Sequence, residues 1–332
     1  MHCNYCERRC EIIEGDTGFC RMYTRSANNI VERFPHRWSS CGAAVIESVP
    51  FYHVSPGSRC LVIGTASCNF RCRYCSNAFV AKEDPFVYVK KMYHLEPEDI
   101  IRAARRLECH SIVFNVNEPA VSIPSLVELG AAAKAEGIPM GCLSNGYMTG
   151  ESVEILASIF SFFNISLKGL SSEFNRRYIG IASSEPIVRN IERLARGWHV
   201  EVTTPLIEGA NDGEIDVMAD ILSDIDREIP WHVFRLLPED EMKGERYPDI
   251  SDIDAALTSA RQKLRYIYFH NFVGSAWVNT QCPRCHSVSI ERVSLGCGGD
   301  KLKRVVGIGD RCPACGGPIR MLDLVSNRKE NT

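Results

Sequence analysis

The sequence predicts an α/β fold, a partial or complete parallel (β/α) barrel with small cysteine-rich modules at its N and C termini. Three observations carry this prediction. Apolar, β-rich runs alternate with helical 3.6-residue patterns from Cys60 to Phe269. Sequential strand–helix units imply parallel strands, and about six or seven of them suit a barrel. The 16 cysteines gather mainly in three groups, two of them outside the alternating region.

The predicted strands are Cys60–Thr65, Ile112–Val116, Pro139–Leu143, Phe162–Leu167, Val200–Thr204, Trp231–Leu236 and Tyr266–Phe269. The predicted helices are Glu96–Leu107, Ser122–Ala135, Glu151–Ile159, Glu185–Arg196, Asp212–Ile225 and Ser251–Lys263. Residues 1–59 read as a four-cysteine metal-binding module and 60–274 as the barrel core. Residues 275–320 read as a four-cysteine, zinc-ribbon-like module, and 321–332 as a tail. In such a barrel, functional residues stand just after the C-terminal ends of the strands.

Composition narrows the class. The chain has 332 residues, 45% of them hydrophobic and 24% charged, which excludes a disordered or collagen-like protein. A net charge of -3 gives no support to nucleic-acid or membrane-surface binding. The most apolar stretch, Ile155–Leu167, is too short to span a bilayer. Met1-His2-Cys3 does not begin a secretory signal, so a reducing cytoplasm is expected, with cysteines serving as metal ligands rather than disulfides.

The middle group is Cys68, Cys72 and Cys75, directly after the first barrel strand. Three thiolates hold three irons of a [4Fe-4S] cube and leave the fourth iron open, as a catalytic metal site requires. A zinc knuckle is the competing reading, but no nearby fourth Cys or His follows. Cys282, Cys285, Cys312 and Cys315 form two Cys-x-x-Cys knuckles, a closed tetrahedral set that suits zinc, with mononuclear iron the alternative. The 26 residues between the pairs are long for a ribbon, and Cys297 is a possible substitute ligand. Cys282 to His286 also fits a c-type haem attachment, a chemistry that needs export. Cys3, Cys6, Cys10 and Cys20 satisfy either zinc or an auxiliary iron–sulfur cluster, with a structural metal the preferred reading. Cys60, Cys109 and Cys142 read as buried small hydrophobes.

The middle spacing, with Tyr74 before its last cysteine, resembles the radical S-adenosylmethionine (SAM) superfamily. The resemblance implies that SAM chelates the open iron. An electron from the cluster then cleaves SAM to methionine and a 5′-deoxyadenosyl radical, which abstracts a substrate hydrogen. Asn117 and Glu118 in Asn115-Val116-Asn117-Glu118-Pro119 fall where the superfamily binds the SAM amine. Ser144 and Asn145, Lys168, and His232 follow at or within later strands. By resemblance these residues contact SAM, and Tyr74 contacts its adenine. The pattern is similar to the branch that contains pyruvate formate-lyase activating enzyme. It is most similar to the AmmeMemoRadiSam-system enzymes, through the N-terminal cysteines, Tyr52-His53, Pro56-Gly57-Ser58, Asn145 to Thr149, Pro230 to Val233 and Asn279-Thr280. Leu143 and Ser166 replace the acidic residues that bind a monovalent cation in the activases, so that cation is not carried over.

The resemblance implies an oxidoreductase fed by flavodoxin or ferredoxin. A partner protein is a candidate substrate, and Memo-like and AMMECR-type proteins are candidate partners. Arg71 and Arg73 read as a solvated face that could attract an acidic donor. The alternatives are a multi-zinc scaffold without SAM chemistry, or a simple electron carrier.

Overall fold

The computed structural model describes residues 1–296, 299–306 and 310–324. Cys297 and the predicted tail from residue 325 onward lie outside the described residues.

Eight strands form the main sheet. They are β1 (Ser40–Val45), β2 (Arg59–Gly64), β3 (Ser111–Phe114), β4 (Met140–Ser144), β5 (Phe162–Ser166), β6 (His199–Leu206), β7 (Trp231–Arg235) and β8 (Ile267–His270). From β2 to β8 every neighbour pair is parallel and spatial order follows chain order. A sheet wound in one direction places its crossover helices on one face. Those helices are α1 (Pro97–Arg106), α2 (Ile123–Ala135), α3 (Gly150–Ala157), α4 (Glu185–Ala195), α5 (Ile215–Asp226) and α6 (Ile250–Ala260). β1 and β8 are the free edges among the described residues, so the barrel is partial. All seven predicted strands form. Antiparallel β1 joins them from the segment assigned to the N-terminal module.

The period of two along each strand divides two environments. Leu61, Ile63, Ile112, Phe114, Phe163, Ile165, Trp231 and Val233 face the helices in one continuous core. Cys60, Val113 and Phe162 face inward, where the segment between β1 and β2 brings Phe51 edge-on to Phe162, ring centroids 4.8 Å apart. Gly141 is required there: a Cβ would lie 2.1 Å from the Phe162 ring.

The same segment carries Tyr52 and His53 into the barrel, where their backbone N–H groups donate to the Glu201 carboxylate at 3.0 and 2.9 Å. The C-terminal ribbon, β9 (Thr280–Gln281), β10 (Val288–Ser294) and β11 (Asp300–Val305), inserts two charges into the same interior. Arg292 donates to the Tyr52 carbonyl at 2.8 Å, lies over its ring and faces buried Glu47. Asp300 accepts from the Tyr52 hydroxyl and lies against His270 Nδ1, both at 2.6 Å. The long loop between the cysteine pairs is thus a hairpin that plugs the barrel.

Candidate active site and metal centres

The loop after β2 carries the middle cysteines, and Asn117 sets its path. Its side-chain Nδ2 donates to Thr65 Oγ1, Ala66 O and Ser67 O, while its Oδ1 accepts from Thr65 N. The two loops approach closely because residue 64 is glycine; a Cβ there would meet Asn115 O at 2.6 Å. Val116, a β-branched residue, takes φ +80°, a strained conformation held by the surrounding contacts.

Cys68, Cys72 and Cys75 line one cleft of about 490 Å³ at the C-terminal mouth of the strands. Tyr74, Asn117, Glu118, Ser144, Asn145 and Lys168 line it too, so all but one of the predicted SAM contacts come together. The lining holds no other cysteine and no histidine among the described residues. A larger groove of about 1350 Å³ opens at the opposite end, around His110, Pro139 and Ser161, away from the middle cysteines.

Burial pushes the Cys68 thiol well up and the Cys72 thiol up to about 11. These groups are neutral thiols unless a cation binds, which is the usual linkage between metal and thiolate. The three sulfurs are not mutually within 4.8 Å, so they do not surround a single small ion.

Glu118 is 2% exposed. Ser144 Oγ donates to its Oε1 at 2.8 Å, Ala120 N donates to the same oxygen at 3.1 Å, and Asn145 N donates to Oε2 at 2.8 Å. Burial raises the carboxyl to about 7 despite these bonds and the Lys168 charge. The Lys168 ammonium lies 5.8 Å from the Tyr74 ring centroid and has no hydrogen-bond or ion-pair partner among the described residues, while the Lys168 carbonyl accepts from Asn211 Nδ2 at 2.6 Å. The cleft therefore presents a buried carboxylate and an available ammonium, a pair able to receive a ligand with both an amine and a carboxylate.

His232 lies apart from the cleft. It is fully buried, with Nε2 2.6 Å from Glu201 Oε2 and Nδ1 3.0 Å from His270 Nε2. Phe234, which lines the cleft, stacks on His270 with centroids 4.3 Å apart. His232 thus belongs to a polar floor beneath the cleft. Of the expected solvated pair, Arg73 stays at the surface, while Arg71 is tied down by backbone carbonyls. Arg71 donates to Cys68 O and Phe70 O and covers Phe19, and Arg73 pairs with Glu241.

The outer cysteine groups differ in spacing. Cys282 and Cys315 sulfurs lie 3.7 Å apart, those of Cys285 and Cys312 3.6 Å, and all four fall within 4.8 Å of one another. A tetrahedron of 2.3 Å metal–sulfur bonds has an edge of about 3.8 Å. This quartet therefore fits one metal ion without Cys297, and the spacing alone does not separate zinc from iron. Cys3, Cys6, Cys10 and Cys20 line one small enclosed pocket without reaching that compact spacing.

Sequence reasoning missed two residues of the site. Asn69 accepts from Asn145 Nδ2 at 2.6 Å and lies beside the Cys68 sulfur at 3.7 Å. Glu201 organises the floor; its signal was a lone carboxylate inside the apolar strand Val200-Glu201-Val202. Burial alone would raise its carboxyl, but bonds from His199 and His232 hold it well below the usual range.

Residues 62–222, just under half of the chain, match the radical SAM superfamily. The match supports membership of that superfamily. The chain is 28% identical over 326 residues to an uncharacterized protein of Methanocaldococcus jannaschii, covering 96% of this chain and 95% of the relative. Among solved structures it is similar to TYW1 with a lysine–pyruvate adduct bound (19% identity, 64% of this chain and 76% of that one, TM-score 0.47). It is also similar to a domain of pyruvate-formate lyase-activating enzyme from Bacteroides vulgatus (20% identity, 48% and 98%, TM-score 0.42). Streptococcus suis SuiB bound to its precursor peptide is a third (16%, 68% and 48%, TM-score 0.49). No helix among the described residues is long and apolar enough to cross a membrane.

Proposed function

We propose that the chain is a radical SAM enzyme, in which Cys68, Cys72 and Cys75 hold a [4Fe-4S] cluster and SAM binds beside it. The observation that carries this reading is the cleft itself. Its three sulfurs are spaced too widely for one small ion and share the lining with Glu118 and Lys168, while no further Cys or His is there to take a fourth iron. Bound there, the cluster and SAM supply one-electron cleavage of a sulfonium and a carbon radical that abstracts hydrogen.

The chain's own residues bind, orient and exclude water. Glu118 receives the SAM amine and Lys168 its carboxylate, each through a charge-assisted bond. Asn145 and Asn69 brace the Cys68 sulfur, Nδ2 of Asn145 lying 3.6 Å from it. Tyr74, 6% exposed, forms an apolar wall suited to the adenine. His232 acts from below, through the floor that seats Phe234, rather than by touching the ligand.

The substrate in this reading is a partner protein, as for an activating enzyme, with Memo-like and AMMECR-type proteins as candidates through sequence resemblance. The segment after the cysteine loop supports a protein substrate. Phe79, Phe86 and Val87 stand 61%, 60% and 51% exposed there, beside Asn77 and Ala81 of the cleft. A flavodoxin or ferredoxin is the electron donor, zinc fills the ribbon quartet, and the cytoplasm is the compartment.

The test incubates anaerobically reconstituted protein with dithionite and deuterated SAM, first alone and then with candidate partners. Release of 5′-deoxyadenosine, with deuterium exchange or a mass change on a partner, is the expected result. A colourless, zinc-only protein that leaves SAM intact would instead make the chain a structural scaffold.

A further inference from the structure

We propose that Cys3, Cys6, Cys10 and Cys20 hold a second [4Fe-4S] cluster, closed on four thiolates and separated from Cys68 by one side chain, that of Asn69. The site is built for metal-bound sulfur. All four cysteines line the same enclosed pocket, walled by Tyr5, Phe19 and Tyr23. The Cys10 sulfur accepts the Phe19 backbone N–H at 3.3 Å.

Spacing chooses between one ion and a cluster, and the chain contains its own standard. The ribbon sulfurs sit 3.6 and 3.7 Å apart, at the edge length of a single-ion tetrahedron. No three of the N-terminal sulfurs lie mutually within 4.8 Å, and the same is true of Cys68, Cys72 and Cys75. Around an iron–sulfur cube each thiolate binds a different corner, so ligand sulfurs stand farther apart than around one ion. The N-terminal four follow the cluster pattern. Four thiolates leave no open iron, so this site would carry electrons rather than bind SAM.

Its placement suits that role. Asn69 lines the N-terminal pocket, and its side chain lies 3.7 Å from the Cys68 sulfur. The Arg8 and Arg71 guanidiniums, 3.6 and 4.7 Å from the Phe19 ring centroid, put two positive charges near the thiolates. A cluster held by Cys3, Cys6, Cys10 and Cys20 would take one electron from a low-potential flavin or iron–sulfur donor and give it up to the cluster that Cys68, Cys72 and Cys75 would hold, with no bond made or broken. The relay rests on the proposed radical SAM function; the second cluster does not.

The test removes the middle site. The Cys68→Ala, Cys72→Ala, Cys75→Ala variant, reconstituted anaerobically, should retain about four irons and four sulfides per chain, with a dithionite-induced spin-½ signal. Loss of all acid-labile sulfide from that variant, with or without extra zinc, would overturn the proposal. A complementary pair guards against misfolding of the triple variant. Wild-type protein should hold about eight sulfides and Cys6→Ser, Cys10→Ser about four; equal content in the two refutes the second cluster. Doubly reduced wild type should show magnetic broadening that neither single-cluster variant shows. Independent, unbroadened signals would contradict the adjacency. A cluster in the triple variant alongside no SAM cleavage by wild type would leave this site standing and remove the proposed function.

Discussion

Ser144 Oγ donates to Glu118 Oε1 at 2.8 Å, latching the end of β4 to the loop that follows β3. Glu118→Gln keeps the shape of this latch but removes the negative charge. We predict that it weakens SAM binding tenfold or more, the loss of one charge-assisted contact, with the fold retained. Equilibrium binding beside circular dichroism checks this. Unchanged affinity would remove Glu118 from the ligand set.

Asn117→Ala should act without touching the ligand. It removes two N–H donors shared among Thr65 Oγ1, Ala66 O and Ser67 O, and the acceptor for Thr65 N. About 1–3 kcal/mol of stability should be lost for the polar groups left without partners. Cluster occupancy should fall with it, read by iron content after gel filtration.

The interior plug gives a third expectation. Arg292 and Glu47 are a buried ion pair 3.7 Å apart, both side chains 0% exposed. Arg292→Ala strands the Glu47 charge and should cost about 3–5 kcal/mol, while Arg292→Met with Glu47→Gln should recover much of it. Denaturant unfolding of the single and double variants decides. An equal loss in both would mean that packing, not charge, holds the plug.

The buried histidines set a pH dependence. Burial lowers His53 to about 3 and His270 to about 4, so both are neutral in the fold and protonated in the unfolded chain below pH 6.5. The unfolded state then binds more protons, and stability falls as pH drops from 6.5 toward 4. The slope is about 1.4 kcal/mol per pH unit for each histidine. Urea midpoints across that window measure it. His270→Asn should flatten the slope.

The strands and helices were legible because their periods differ and burial respects them: Val200, Val202, Trp231 and Val233 alternate with Glu201 and His232, and the helix core lies on one side. The cleft was legible because its cysteines, Glu118 and Asn145 each follow a strand, and parallel winding brings strand ends together. The floor was not. Tyr52 meets Asp300 across 248 positions of chain, and no local pattern encodes that pairing. His232 therefore read as a ligand contact when its partners are Glu201 and His270. Sulfur spacing, which separates a single ion from a cluster, likewise exists only after folding.

The most direct test of the central claim is 5′-deoxyadenosine formation by reconstituted protein, compared with Cys72→Ala. Wild type should cleave SAM in a dithionite-dependent way. The variant should release none above background while keeping the ribbon metal. Equal cleavage by both, or cleavage by neither despite a full complement of iron, would contradict the assignment of Cys68, Cys72 and Cys75 as the radical-generating site.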